Sequence, residues 1–139
     1  MIVSGRINSV EVRKDSDEPM VGISINISMD DVKINGRRVE VYYTYHAKYD
    51  KDVGSLKMSG VLYANEEEKT AKKIKEKWEK ERKLPDDFAE AVLNTVNFTC
   101  STNGILAVRI VNLSPPMMPP KISIQKQETQ TEGHENPAS

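Results

Sequence analysis

The sequence predicts an α+β fold: a four-stranded antiparallel sheet, two helices packed after it, then an apolar proline-containing segment. Three observations carry this expectation. Period-2 alternation of apolar and polar residues recurs through residues 1–63. Helix-start signals follow at residues 65–68 and 84–87. Residues 105–113 are then almost unbroken apolar and lead into Ser114-Pro115-Pro116-Met117-Met118-Pro119-Pro120. Proline fixes φ and lacks an N–H donor, so that last run is neither helix nor central strand and should be extended and semi-rigid.

The strands come first. In residues 1–12, Val3, Gly5 and Ile7 share one phase and Val10 and Val12 the other, which places a bulge near Asn8-Ser9. Val21, Ile23, Ile25, Ile27 and Met29 alternate strictly with Gly22, Ser24, Asn26 and Ser28, as a half-buried strand does. Asn35-Gly36 is a turn signal, because both residues accept the positive φ of a type I′ turn. Beyond it, Val39, Val41, Tyr43, Tyr45, Ala47 and Tyr49 share one face, while Glu40, Tyr42, Thr44, His46 and Lys48 share the other. Leu56, Met58, Gly60 and Leu62 mark a fourth strand. Such a sheet needs a cover on its apolar face.

The cover is helical. Asn65 followed by Glu66-Glu67-Glu68 reads as an N-cap with an acidic first turn and Glu68 at the capping-box position. From there to Lys83 only Ala71, Ile74 and Trp78 form a stripe, so the first helix should bury one thin edge. The second helix opens at Leu84-Pro85-Asp86-Asp87 and carries a broader stripe of Phe88, Ala89, Val92, Leu93 and Val96, suited to lying flat on the sheet. Asn103-Gly104 reads as its stop, since both residues accept the left-handed cap conformation. Residues 105–113 are then either a fifth strand in the core or one wall of an apolar groove. In the groove reading, the proline-locked backbone presents Leu113, Met117 and Met118, whose flexible thioethers suit varied apolar ligands.

With 139 residues the chain is expected to be one domain over residues 1–124, followed by a disordered polar tail over 125–139. A single cysteine, Cys100, makes no internal disulfide, and no apolar run has the length of a signal peptide or a membrane span. A reducing, cytoplasmic location without membrane insertion is the expectation. Lysine and arginine number 20 against 21 acidic residues, which argues against the basic excess of a nucleic-acid binder.

Chemistry-bearing residues are sparse. His46 lies on the polar face of a strand, His134 lies in the tail, and no Cys/His/acid spacing suits a metal. Cys100 falls near the apolar side of the second helix, where a thiol acts as a small hydrophobe. Gly54, Gly60 and Gly104 are isolated, so no phosphate loop is present. The expectation is a protein without enzyme activity, cofactor or metal. Tyr42, Tyr43, Tyr45 and Tyr49 share a strand with His46 and Lys48, and aromatics with basic neighbours on an open sheet stack single-stranded bases in some proteins. Tyr42 and Lys48 are the candidates for that alternative, although three of the four tyrosines share the apolar phase of Val39 and Val41.

Two short stretches resemble the SecB family of export chaperones. One is Leu56-Lys57-Met58-Ser59-Gly60-Val61-Leu62. The other runs from Phe88-Ala89-Glu90 through Asn103-Gly104 to Leu113-Ser114-Pro115-Pro116. The element order resembles the divergent, archaeal-type SecB-like proteins more than the bacterial export chaperone. The resemblance implies an ATP-independent holdase, a homo-oligomer whose clients are unfolded or preprotein polypeptides, with client contacts along Leu106, Val108, Ile110, Leu113, Met117 and Met118. Two departures stand out. Residues 66–83 carry more Lys–Glu repeats than the family pattern, and a polar tail stands where the family has a long C-terminal helix that bears on its tetramer and its translocation partner. A structural subunit with this stretch as a permanent interface uses the same residue types.

Overall fold

The computed structural model describes residues 1–19 and 22–116. In chain order they form β1 (Ile2–Lys14), β2 (Ile23–Asn35), β3 (Arg38–Tyr49), β4 (Gly54–Asn65), α1 (Glu68–Glu81) and α2 (Asp86–Ile110). The sheet order is β1-β4-β3-β2 and all pairings are antiparallel. The four-stranded antiparallel sheet followed by two helices is the architecture expected from the alternation pattern.

The pleat sorts residues as that pattern predicts. Val39, Val41, Tyr43, Tyr45, Ala47 and Tyr49 are all buried on β3, and Leu56, Met58, Leu62 and Ala64 face the same side from β4. The bulge expected near Asn8-Ser9 is present, because the β1–β4 register slips between Ile7 and Ser9. A second slip lies between Ile2 and Ser4. The slips return Ile2, Gly5, Ile7, Val10 and Val12 to the helix face, opposite Ala64, Leu62, Gly60, Met58 and Leu56.

Two turn expectations are corrected. The β2–β3 loop is Gly36-Arg37 rather than Asn35-Gly36, since Asn35 pairs with Arg38. Gly36 alone takes positive φ there, at 64°, the requirement of a type II′ hairpin at its first central position. Asn65 is not a helix cap. It ends β4, pairs with Arg38 and donates its N–H to the Met1 carbonyl, while Glu66 takes the Met1 ammonium. Helix α1 therefore starts later, at Glu68, without a side-chain cap. Ala71, Ile74 and Trp78 are its buried residues, the thin stripe read from the sequence.

The larger correction concerns α2. It does not stop at Asn103-Gly104 but continues to Ile110, so residues 105–110 are helix and not a fifth strand. Gly104 serves close approach, not a turn. A Cβ there would lie 2.8 Å from Leu56 Cδ2, so the glycine lets the helix approach β4 this closely without shifting the buried Leu56 side chain. Asn103 spends its side-chain amide on the Thr99 carbonyl, one turn back in the same helix. The chain turns off the helix beyond Ile110 at Asn112, which takes φ 59° in place of the glycine. Met117, Met118 and the tail lie outside the described residues.

Candidate functional site

Both helices lie on one face of the sheet, and α2 reaches all four strands. Its buried row recurs every fourth residue: Val92, Val96, Cys100, Gly104 and Val108. These press on a floor dominated by Tyr43, Tyr45, Leu56 and Met58, each no more than 1% exposed. Burial pushes the Cys100 thiol up to about 11 and the Tyr43 phenol well above its ordinary value. A buried thiol held neutral is structural and not a nucleophile.

The helix contacts β1 but leaves its residues 2–7 only partly covered. The edge strand overhangs, and a cleft of about 550 Å³ opens between it and α2. Six consecutive β1 residues, Ile2 to Ile7, form one wall. Tyr43 and Leu62 form the floor, and Thr95, Thr99 and Asn103 the helix wall. Thr95 Oγ1 donates to the Ala91 carbonyl and the Asn103 amide to the Thr99 carbonyl. Two of the three polar side chains on the helix wall thus satisfy donors within α2. Arg6 is the one charged residue in the lining, and its Nε donates to Asn8 Oδ1 at 2.7 Å. A smaller hollow of about 390 Å³ at the α1–α2 turn mixes Met29 and Leu84 with Arg82, Lys83 and Asp86.

The rim is apolar. Among the described residues the exposed large hydrophobic side chains are Met1, Val3, Val10, Phe98, Ile105, Leu106 and Ile110. Met1 precedes β1 directly, Val3 and Val10 lie on it, and the other four lie on α2. Leu106 and Ile110 are 69% and 80% exposed, and helical spacing sets them on the Thr99 and Asn103 side of α2.

The residues expected to contact clients therefore separate. Leu106 and Ile110 are open to solvent. Val108 and Leu113 are not, at 0% and 3% exposed, and this corrects their assignment: both belong to the core that closes the end of α2. Met117 and Met118 lie outside the described residues. Phe98, Val3 and Val10 were not anticipated. Phe98 had a legible signal, since it sits two residues from both Val96 and Cys100 and so opposes the buried row. Val3 and Val10 had none, because their exposure depends on where α2 stops short of β1.

Tyr42 and Lys48 both fall on the sheet face away from the helices, but the structure does not bring them together. They are six residues apart on one strand, about 20 Å. The Tyr42 ring carries Lys33 Nζ at 5.1 Å, and its hydroxyl donates to Glu40 Oε1 at 2.9 Å. That hydrogen bond raises the phenol, and a carboxylate there opposes a phosphate. His46 lies on the same face, opposite Lys57 and Asn26. Among the described residues no group of three His, Cys, Asp or Glu side chains could hold a metal ion, and no helix is long and apolar enough to cross a membrane.

No protein-family model matches the chain, and no curated protein matches its sequence. Among solved structures it is similar to the Mycobacterium tuberculosis Rv1957 SecB-like chaperone, determined in complex with a ChAD peptide from the Rv1956 HigA1 antitoxin. The match has a TM-score of 0.52 at 12% identity and covers 91% of this chain and 90% of the other. The likeness is one of fold.

Proposed function

We infer that this protein is an ATP-independent holdase that binds unfolded polypeptide along the β1–α2 rim. One observation carries the reading: every exposed large hydrophobic among the described residues lies on β1, just before it, or on α2, the two elements that wall the cleft, and Val3 lines it. Scattered surface hydrophobics need no explanation, but exposed apolar side chains confined to the two elements that wall a cleft mark a place where apolar chain is taken up. The shared fold with a chaperone that was solved holding a peptide supports the same reading. Leu106 and Ile110 are the candidate contacts, with Phe98 exposed about two to three turns earlier on α2 and Met117 and Met118 following in the chain.

The test is suppression of aggregation of a heated or reduced client without nucleotide, with light scattering reporting solution mass on the same sample. The double variant Leu106→Asp, Ile110→Asp should lose suppression and keep its unfolding midpoint, because neither side chain is in the core. Suppression that survives the double variant would place client binding away from this rim, and a wild-type protein that forms a stable oligomer and suppresses nothing would mean that the rim is a permanent subunit interface.

A further inference from the structure

We propose that the occupant of the cleft is an extended polypeptide segment that adds to the sheet as a fifth strand along β1, with alternate side chains entering the cleft. This rests on the holdase reading and specifies how the chain is held. Three features point to it.

The first is the wall itself. A groove that meets only side chains from a strand touches every second residue, because successive side chains point to opposite faces. This cleft is lined by Ile2, Val3, Ser4, Gly5, Arg6 and Ile7 in unbroken succession, so it opens onto the strand's backbone edge. The second is that β1 is the terminal strand, paired along one side by β4 and by nothing on the other among the described residues. Its outer N–H and C=O groups form the template that another extended backbone completes. The two bulges leave regular runs at residues 4–7 and 9–14, long enough for several such bonds.

The third is charge. Over Ile2–Lys14 the strand carries Arg6, Arg13 and Lys14 against Glu11, and the cleft lining carries Arg6 and no carboxylate. A second copy of β1 would bring the same basic excess onto itself. A neutral or acidic apolar segment would not. The depth of the cleft also favours inserted side chains, since about 550 Å³ falls within the ~300–1,000 Å³ of sites that enclose a ligand. A chain held in this way has the backbone donors along one edge occupied, which removes that edge from pairing with other chains.

Alternate N-methylation tests this on the full chain. A labelled peptide of about ten residues, rich in Val and Leu with acidic ends, is compared with two analogues by fluorescence anisotropy. One analogue is N-methylated at odd positions, the other at even positions. Each keeps every side chain and loses the donors along one edge. Strand addition predicts that one analogue loses binding roughly ten-fold or more while the other keeps it. Equal binding by all three peptides would overturn strand addition and leave the holdase reading standing. No binding by any of them, together with unsuppressed client aggregation, would overturn both. A dimer mass that the peptide does not reduce would assign the edge to a second copy and overturn the proposal.

Discussion

The N–H of Leu113 donates to the carbonyl of Val108 at 3.0 Å, closing the C-terminal end of α2 across five residues. Asn112 N–H reaches back to the Arg109 carbonyl at 3.2 Å inside the same loop. Together these are the two bonds of a Schellman motif, with the usual apolar contact between its ends supplied by two buried side chains. The motif explains why Val108 and Leu113 are core while Ile110, between them, is 80% exposed.

Asn112 is the hinge of that closure. At φ 59° it holds a left-handed conformation that glycine accepts freely and a β-branched residue resists. Asn112→Gly should leave stability within a few tenths of a kcal/mol of wild type or raise it slightly. Asn112→Val should cost about 1–2 kcal/mol. Urea denaturation of the three proteins compares these directly, and a Val variant as stable as wild type would show that the cap does not depend on this residue.

The same helix end shows where the sequence was legible. Strand alternation survives translation to structure because the pleat has period 2 whatever the neighbours are, so the buried set from Val39 to Tyr49 could be read in full. Asn103-Gly104 misled because a glycine that permits a turn and one that permits close packing have the same composition. The discriminating signal was nonetheless present. Val96, Cys100, Gly104 and Val108 continue a four-residue row through the supposed stop. A strand reading needs a change of period at Gly104, whereas the helical row runs through it unbroken. The cleft was not legible, because its walls come from β1 and α2, opposite ends of the described chain, and its width depends on how far α2 reaches toward β1.

Buried acids set the alkaline limit of stability. Burial pushes Cys100 from 9.0 up to about 11 and Tyr49 from 10.0 up to about 12, with Tyr43 and Tyr45 raised as well. In each case the folded protein holds its proton more tightly than the unfolded chain. The resulting stability is fully present below the unfolded values and is lost as pH rises from there through the folded ones. Urea midpoints should therefore be flat up to about pH 8 and fall between about pH 9 and 12. Cys100→Ala should reduce the slope at the lower end of that window, by an amount of the order of 2 kcal/mol in total. An unchanged slope would mean that the thiol is not held neutral by the fold.

Filling the cleft separates its role from that of the rim. Thr99 is half-buried at the middle of the helix wall, and Tyr43 and Leu62 lie below it. Thr99→Trp adds an indole that the open volume can accept without displacing the buried row, so the unfolding midpoint should move little. Client suppression should nevertheless fall sharply, because side chains can no longer enter where the tryptophan lies. Lys72→Trp, on the exposed side of α1, adds the same group away from the cleft and should leave suppression intact. Equal suppression by both variants would locate client binding on the outer rim of α2 alone, at Phe98, Leu106 and Ile110, and remove the cleft from the mechanism.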